Sequence, residues 1–77
     1  MKIEVLGTGC KKCVNTAEMV RDTARDMGIE AEVRHVTDPR ALLEHGVMST
    51  PAVVIDGNVV HSGSMPAKET VEAWLRG

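Results

Sequence analysis

The sequence has almost no aromatic residues. It contains no Phe and no Tyr, and Trp74 is its single Trp. Of its 77 residues 43% are hydrophobic, which is an ordinary share for a folded protein. Because aromatic residues are nearly absent, the core has to be aliphatic. A chain of this length has room for one domain, residues 1–77, and buries only about 60–65% of the surface that its unfolded form exposes.

The sequence also lacks an excess of positive charge. Nine Lys and Arg stand against eleven Asp and Glu, which gives a net charge of −2. Proteins that bind nucleic acids usually carry a basic excess, and those that bind single strands add stacking aromatic residues. Neither feature is present, so we expect no nucleic-acid partner.

Long hydrophobic runs are missing as well. A membrane span needs about eighteen consecutive apolar residues, and no run in the sequence approaches that length. Residues 1–6 carry Glu4 within their apolar stretch and lack the longer apolar region of a signal peptide. We therefore expect a cytoplasmic protein with no membrane partner.

Cysteine is scarce, and its two copies are close together. Cys10 and Cys13 are separated by Lys11 and Lys12. A disulfide between them would close a loop of about four residues, worth roughly 1.9 kcal/mol in the chain-entropy model, compared with about 3 kcal/mol for a 15-residue loop. Small secreted domains rely on several long-range disulfides instead. The pair is therefore better explained by reactivity than by a structural role.

The hydrophobic pattern predicts the element order β-α-β-α-β-β-α. Cys13, Ala17, Val20, Ala24 and Met27 recur at helical spacing, which predicts a helix over 11–27 that stops at Gly28. The predicted strands are 3–6, an alternating strand over 29–36, a buried strand over 52–55, and Val59-Val60 after a turn at Asp56-Gly57. A second helix begins at Asp38-Pro39 and ends at His45-Gly46. A last helix begins at Pro66, and its Val71, Trp74 and Leu75 share one face.

Several of these features together resemble the small thioredoxin-like redox-active disulfide proteins of bacteria and archaea, over the whole chain. They are the Cys10–Cys13 pair after a first strand, Thr50-Pro51 before a buried strand, and Gly63 before a terminal helix. The resemblance implies an α/β thioredoxin-like fold, with a four-stranded mixed sheet and helices on both faces. It also implies a cis bond before Pro51, and a substrate-binding role for Thr50, Pro51 and Gly63.

The chemistry of such a pair needs one thiolate that attacks a disulfide and a second thiol that resolves the mixed disulfide. Cys10, at the predicted helix start, would meet unpaired N–H groups and the positive end of the helix dipole. Cys13, one turn further on the apolar face, would be shielded. We therefore expect Cys10 to be the nucleophile and Cys13 the resolving thiol. Lys11 and Lys12 would lower the pKa of the Cys10 thiol below that of a free cysteine.

The function that we expect is thiol–disulfide exchange with protein disulfides, without a cofactor, by a monomer that a thioredoxin-reductase-like or other electron donor recharges. One alternative is a carrier of a soft metal such as Cu(I), which binds thiolates at this spacing. Another is a redox-inert interaction module. His35, His45 and His61 show no metal-ligand spacing, so we expect no metal site there. A role in substrate contact is open for Met48 and Met65, which flank the Pro51 and Gly63 loops.

Overall fold

A computed structural model describes residues 1–7 and 11–76 of the chain. Within them the element order is the predicted one: β1 (Lys2–Leu6), α1 (Lys11–Asp26), β2 (Glu32–Val36), α2 (Pro39–Glu44), β3 (Ala52–Ile55), β4 (Asn58–Ser62) and α3 (Lys68–Arg76). The strands form one mixed sheet in the order β2-β1-β3-β4. β1 is parallel to β2, and the pairs β1–β3 and β3–β4 are antiparallel. None of the described helices is long and apolar enough to cross a membrane.

The helices cover both faces of the sheet, as expected. α1 and α3 pack on one face, where Val20 and Val71 meet Val53 of the sheet. On the other face, Ala41 and Leu42 of α2 pack against Val54. Val53 and Val54 are adjacent in β3 and belong to different clusters, because successive side chains of a strand point to opposite faces. β3 is buried on both faces for this reason.

α1 buries the face that the sequence predicts and two threonines in addition. Thr16 and Thr23 are polar, so the apolar pattern does not include them, yet both are buried. Their hydroxyls donate to the carbonyls of Lys12 and Met19, each at 2.7 Å. A threonine can therefore enter the core of a helix without leaving its hydroxyl unpaired.

α2 begins and ends where the sequence predicts. The Asp38 carboxylate accepts the backbone N–H of Arg40 at 2.9 Å and caps the helix, and Pro39 is its first residue. Two interactions with Arg40 lower the pKa of Asp38. The larger effect comes from the Arg40 side chain, 3.0 Å from the carboxylate, and the smaller from the Arg40 backbone N–H. His45 is the C-cap, and Gly46 follows it at φ +69°.

Two predicted boundaries were wrong. The second strand begins at Glu32 rather than at Ile29, because the Ile29 N–H bonds to the carbonyl of Ala24 and so belongs to the end of α1. The last helix begins at Lys68 rather than at Pro66. The first helical hydrogen bond runs from the Val71 N–H to the carbonyl of Ala67, at 3.1 Å, and Ala67 follows Pro66.

Candidate active site

The sulfur of Cys13 lies between the start of α1 and the end of β1. Cys13 is the third residue of α1 and has 0% of its surface exposed. A Cβ atom built on Gly7 would overlap the Sγ atom of Cys13 and would lie 3.7 Å from the Cβ of Thr50. Because Gly7 has no side chain, the backbone that follows β1 can lie close to both the buried sulfur of Cys13 and Thr50.

Gly7 is a site residue that sequence reasoning missed. The Gly7 N–H continues the pairing with β2 by donating to the carbonyl of Val36 at 3.0 Å. The available signal was a glycine directly after a buried strand and shortly before a cysteine, since a glycine in such a place often marks a close approach of another group. Here the approaching group is the sulfur of Cys13.

Thr50, Pro51 and Gly63, for which the resemblance implies a substrate-binding role, lie close together in the structure. The Thr50–Pro51 peptide bond is cis, which confirms the expectation of a cis bond there, and Pro51 is buried. The carbonyl of Pro51 accepts the Gly63 N–H at 3.1 Å. Gly63 has φ +91°, and a Cβ atom built on it would lie 3.5 Å from the Cβ of Ser49. We call the group formed by Gly7, Cys13, Thr50, Pro51 and Gly63 the Cys13 site.

Lys11 and Lys12 are the first two residues of α1, and both are exposed. The first turn of α1 contains no acidic residue. Within the described residues, neither lysine side chain makes a hydrogen bond or an ion pair. Two cations therefore stand at the helix end where the dipole favours negative charge.

Cys10, the predicted nucleophile, lies outside the described residues. Its attack on a substrate, its disulfide with Cys13 and the effect of Lys11 and Lys12 on its pKa therefore stay predictions. Among the residues that the structure does describe, no group of three or more His, Cys, Asp or Glu could hold a metal ion.

The three histidines do not converge on the Cys13 site as a group. His45 caps α2, and His61 shares a hydrogen bond of 3.0 Å with Ser64 and packs 5.9 Å from the ring of Trp74. His35 lies in β2 opposite Val5, and its Nε2 atom is buried without a partner among the described residues. The methionines of the two loops are exposed, Met48 at 99% and Met65 at 42%.

Two surface depressions of the described residues lie elsewhere. The first, about 890 Å³, is lined by residues at the other end of the sheet, among them Lys2, Glu32 and Asp56. The second, about 470 Å³, runs along the acidic side of α1 to Lys68. Neither is lined by a residue of the Cys13 site.

The mixed sheet, the cysteine buried at the start of α1 and the adjacent cis-proline turn define a small thioredoxin-like protein. Comparison with known proteins makes this specific: the chain belongs to the thioredoxin family, whose model, "Thioredoxin domain", matches residues 1–76. Similar curated relatives are the thioredoxins of Methanocaldococcus jannaschii (38% identical, over 96% of this chain and 85% of the relative) and of Methanothermobacter thermautotrophicus (31% identical, over 97% of both).

A solved structure supports the fold. Thioredoxin 1 from the thermophilic eubacterium Thermosipho africanus is 22% identical, with a TM-score of 0.59 over 99% of this chain and 96% of that one. The curated relatives confirm the expected activity: the chain is a thiol–disulfide oxidoreductase, an enzyme that acts on protein disulfides. Nothing in the comparisons favours the soft-metal carrier.

Proposed function

We propose that Cys10 and Cys13 perform the exchange, with Cys10 as the attacking and Cys13 as the resolving residue. The observation that carries this assignment is the position of Cys13: it is buried in the first turn of α1, against Gly7 and next to the Thr50–Pro51 turn. A buried thiol is suited to the second step, which takes place after a substrate is already attached.

The two steps balance as follows. The Cys10 thiolate attacks one sulfur of the substrate disulfide, forms a mixed disulfide and releases the other substrate sulfur as a thiolate. The Cys13 thiolate then attacks the Cys10 sulfur and releases the second substrate thiolate. Two electrons have passed to the substrate, and Cys10 and Cys13 are joined as a disulfide. A dithiol donor of the thioredoxin-reductase type, or another two-electron donor, then has to supply two electrons to reduce the Cys10–Cys13 disulfide.

The remaining residues have supporting roles in this proposal. Thr50, Pro51 and Gly63 form the surface against which an extended substrate segment lies, beside the resolving thiol. Lys11 and Lys12 stabilise the Cys10 thiolate and so lower its pKa. A more stable thiolate also favours the reduced state, which makes the disulfide a stronger oxidant.

The partners follow from the same chemistry. The substrates are protein disulfides, and the chain acts as a monomeric single domain in the cytoplasm, without a bound cofactor. The names of the curated relatives, which are thioredoxins, support this choice of substrate.

The test is to trap the mixed disulfide. Cys13→Ser should accumulate a covalent adduct with a protein disulfide substrate, because the resolving thiol is gone, while Cys10→Ser should form no adduct. Mild oxidation of the wild-type chain should remove two hydrogen atoms, as two protons and two electrons that pass to the added oxidant, and mass spectrometry reads this loss. Neither variant should lose them by forming an internal disulfide. Adducts on Cys10→Ser, or metal that stays bound through desalting under reducing conditions, would contradict the assignment.

A further inference from the structure

Three segments surround the Cys13 site, and we call them together the rim. The first is formed by Lys11 and Lys12, the second by the loop 45–51, and the third by residues 61–67, which are the end of β4 and the loop that follows it. The two loops meet where Ser49 and Gly63 approach each other and where Pro51 bonds to Gly63. The rim lies at the end of the sheet where β1 and β2 end and where α1 begins.

The fully charged side chains of the rim are all positive. Neither of the segments 45–51 and 61–67 contains Asp, Glu, Lys or Arg, and their titratable groups are His45 and His61. The rim therefore carries the two lysine charges, although the chain as a whole has a net charge of −2. Glu32 at the start of β2 and Asp56 in the β3–β4 turn lie at the other end of the sheet. Nearer the rim, Asp38 is paired with Arg40 at 3.0 Å, and Glu44 is the last residue of α2, just before residue 45.

The fold itself does not account for the two lysines. At the N-terminus of a helix, cations oppose the dipole, and Asp or Glu would be the favourable choice. Neither lysine is compensated by an ion pair within the described residues, and both are exposed. Exposed charges of one sign beside a site raise the association rate of partners with the opposite charge.

The rim also offers apolar contact area on the two loops. Met48 is 99% exposed and Met65 is 42% exposed. Methionine side chains are flexible and polarisable, and they adapt to different apolar partners. A partner with carboxylates and an apolar side chain near its disulfide would match both features.

We propose that the rim selects protein substrates whose disulfide is flanked by Asp or Glu, with an apolar residue beside it. This inference rests on the proposed function, since it concerns the substrates of the same site. The carboxylate lies against Lys11 and Lys12, and the apolar residue lies against Met48 and Met65.

The test compares three disulfide-linked peptides that are identical except for flanking Glu, Gln or Lys. The readout is the ratio of the rate of reduction of the Glu peptide to that of the Lys peptide, because this ratio cancels any change in the reactivity of the thiol itself. One charge pair about 6 Å apart in water changes a rate about threefold. Each of the two lysines contributes this factor once as attraction of the Glu peptide and once as repulsion of the Lys peptide, so we expect a ratio on the order of 100 at low salt. The ratio should be close to one near 1 M salt, where the screening length is about 3 Å.

Charge reversal in the rim should change this ratio. Lys12→Glu should bring it close to one, and the double variant Lys11→Glu/Lys12→Glu should invert it. Lys2→Glu is the matched control, since it makes the same change in net charge at the opposite end of β1 and should keep the wild-type ratio. Met48→Gln should slow the reduction of peptides that carry a flanking Leu but not of those that carry a flanking Ser, and Leu43→Gln, outside the rim, should slow neither.

Each outcome bears on a different proposal. A ratio of one for the wild-type chain at low salt, or an unchanged ratio in the double variant, would overturn the selection of acidic substrates. If the small neutral bis(2-hydroxyethyl) disulfide is still reduced in that case, the proposed dithiol function stands. Failure to reduce any disulfide would overturn both.

Discussion

At the scale of single residues, the position of the Cys13 sulfur depends on the absence of a side chain at Gly7. The sulfur occupies the space that a Cβ atom would take, and the Cβ of Thr50 lies 3.7 Å from the same point. Gly7 does not touch the substrate in the proposed exchange. It acts through Cys13, by allowing the resolving thiol to lie against the end of β1, and is therefore a positioning residue.

We predict that Gly7→Ala slows the resolving step about tenfold and leaves the attack by Cys10 nearly unchanged. The added methyl group has to displace the Cys13 sulfur, and small displacements of a reacting group cost large factors in rate. The measurement is acid quenching during the reaction with a protein disulfide, followed by separation of the mixed disulfide, which should accumulate. The overpacked site should also lose about 1–3 kcal/mol of stability.

Gly57→Ala provides the control for that loss of stability. Gly57 has φ +87°, so alanine is strained there, yet nothing lies within 4 Å of the added Cβ atom. This variant should be less stable than the wild-type chain but should resolve mixed disulfides at the wild-type rate. If Gly7→Ala also resolves them at that rate, Gly7 does not position the thiol.

At the scale of elements, α2 shows how a short helix depends on its ends. It has six residues, and none of them is buried. Its first turn is held by the Asp38 carboxylate, which accepts the Arg40 N–H and also contacts the Arg40 side chain. The hydrogen bonds to Arg40 favour the charged carboxylate, and so lower the pKa of Asp38 from its ordinary value of 3.8.

We predict that Asp38→Ala lowers the stability of the protein at neutral pH and that the difference disappears in acid. A carboxyl group whose pKa is lower in the folded than in the unfolded chain stabilises the fold above the unfolded pKa. That contribution is lost as the pH falls through the folded pKa, below 3.8. Urea unfolding of both chains between pH 7 and pH 2 measures the difference. A difference that is constant with pH would show that the charge of the cap has no role.

At the scale of the whole molecule, the two faces of the sheet are covered unequally. The face under α1 and α3 contains the larger cluster of fully buried side chains, including Ile3, Val20 and Val71. On the other face, Leu6, Ala52 and Val54 are covered by a helix whose Leu43 is 80% exposed. The α2 face is therefore the less stable part of the fold, and it adjoins the loop that leads to Pro51.

We predict that the amides of α2 exchange with solvent by local opening, whereas those of β1 and β3 exchange only by global unfolding. Elements with few buried contacts open at a smaller free energy than the core strands, so the α2 amides should exchange at least about tenfold faster. Hydrogen exchange at several low urea concentrations measures this, since local opening depends weakly on urea. Equal protection of α2 and β1 would mean that the fold opens as one unit.

The sequence by itself determined the order of the elements, the buried face of α1 and the cap of α2, and it supplied the prediction that Cys10 and Cys13 carry the exchange. These features depend on residues close together in the chain, whose spacing and caps act on local backbone geometry. The family resemblance supplied the cis bond before Pro51, which no local pattern in the chain would have indicated.

Only the tertiary structure decided which groups surround the Cys13 sulfur. Gly7, Thr50 and Gly63 are distant in sequence, and they meet because β1 pairs antiparallel with β3 and β3 with β4. The same applies to Thr16 and Thr23, which are polar in sequence and buried in the fold. Contacts of this kind follow from strand pairing and packing, and neither is encoded in the spacing of neighbouring residues.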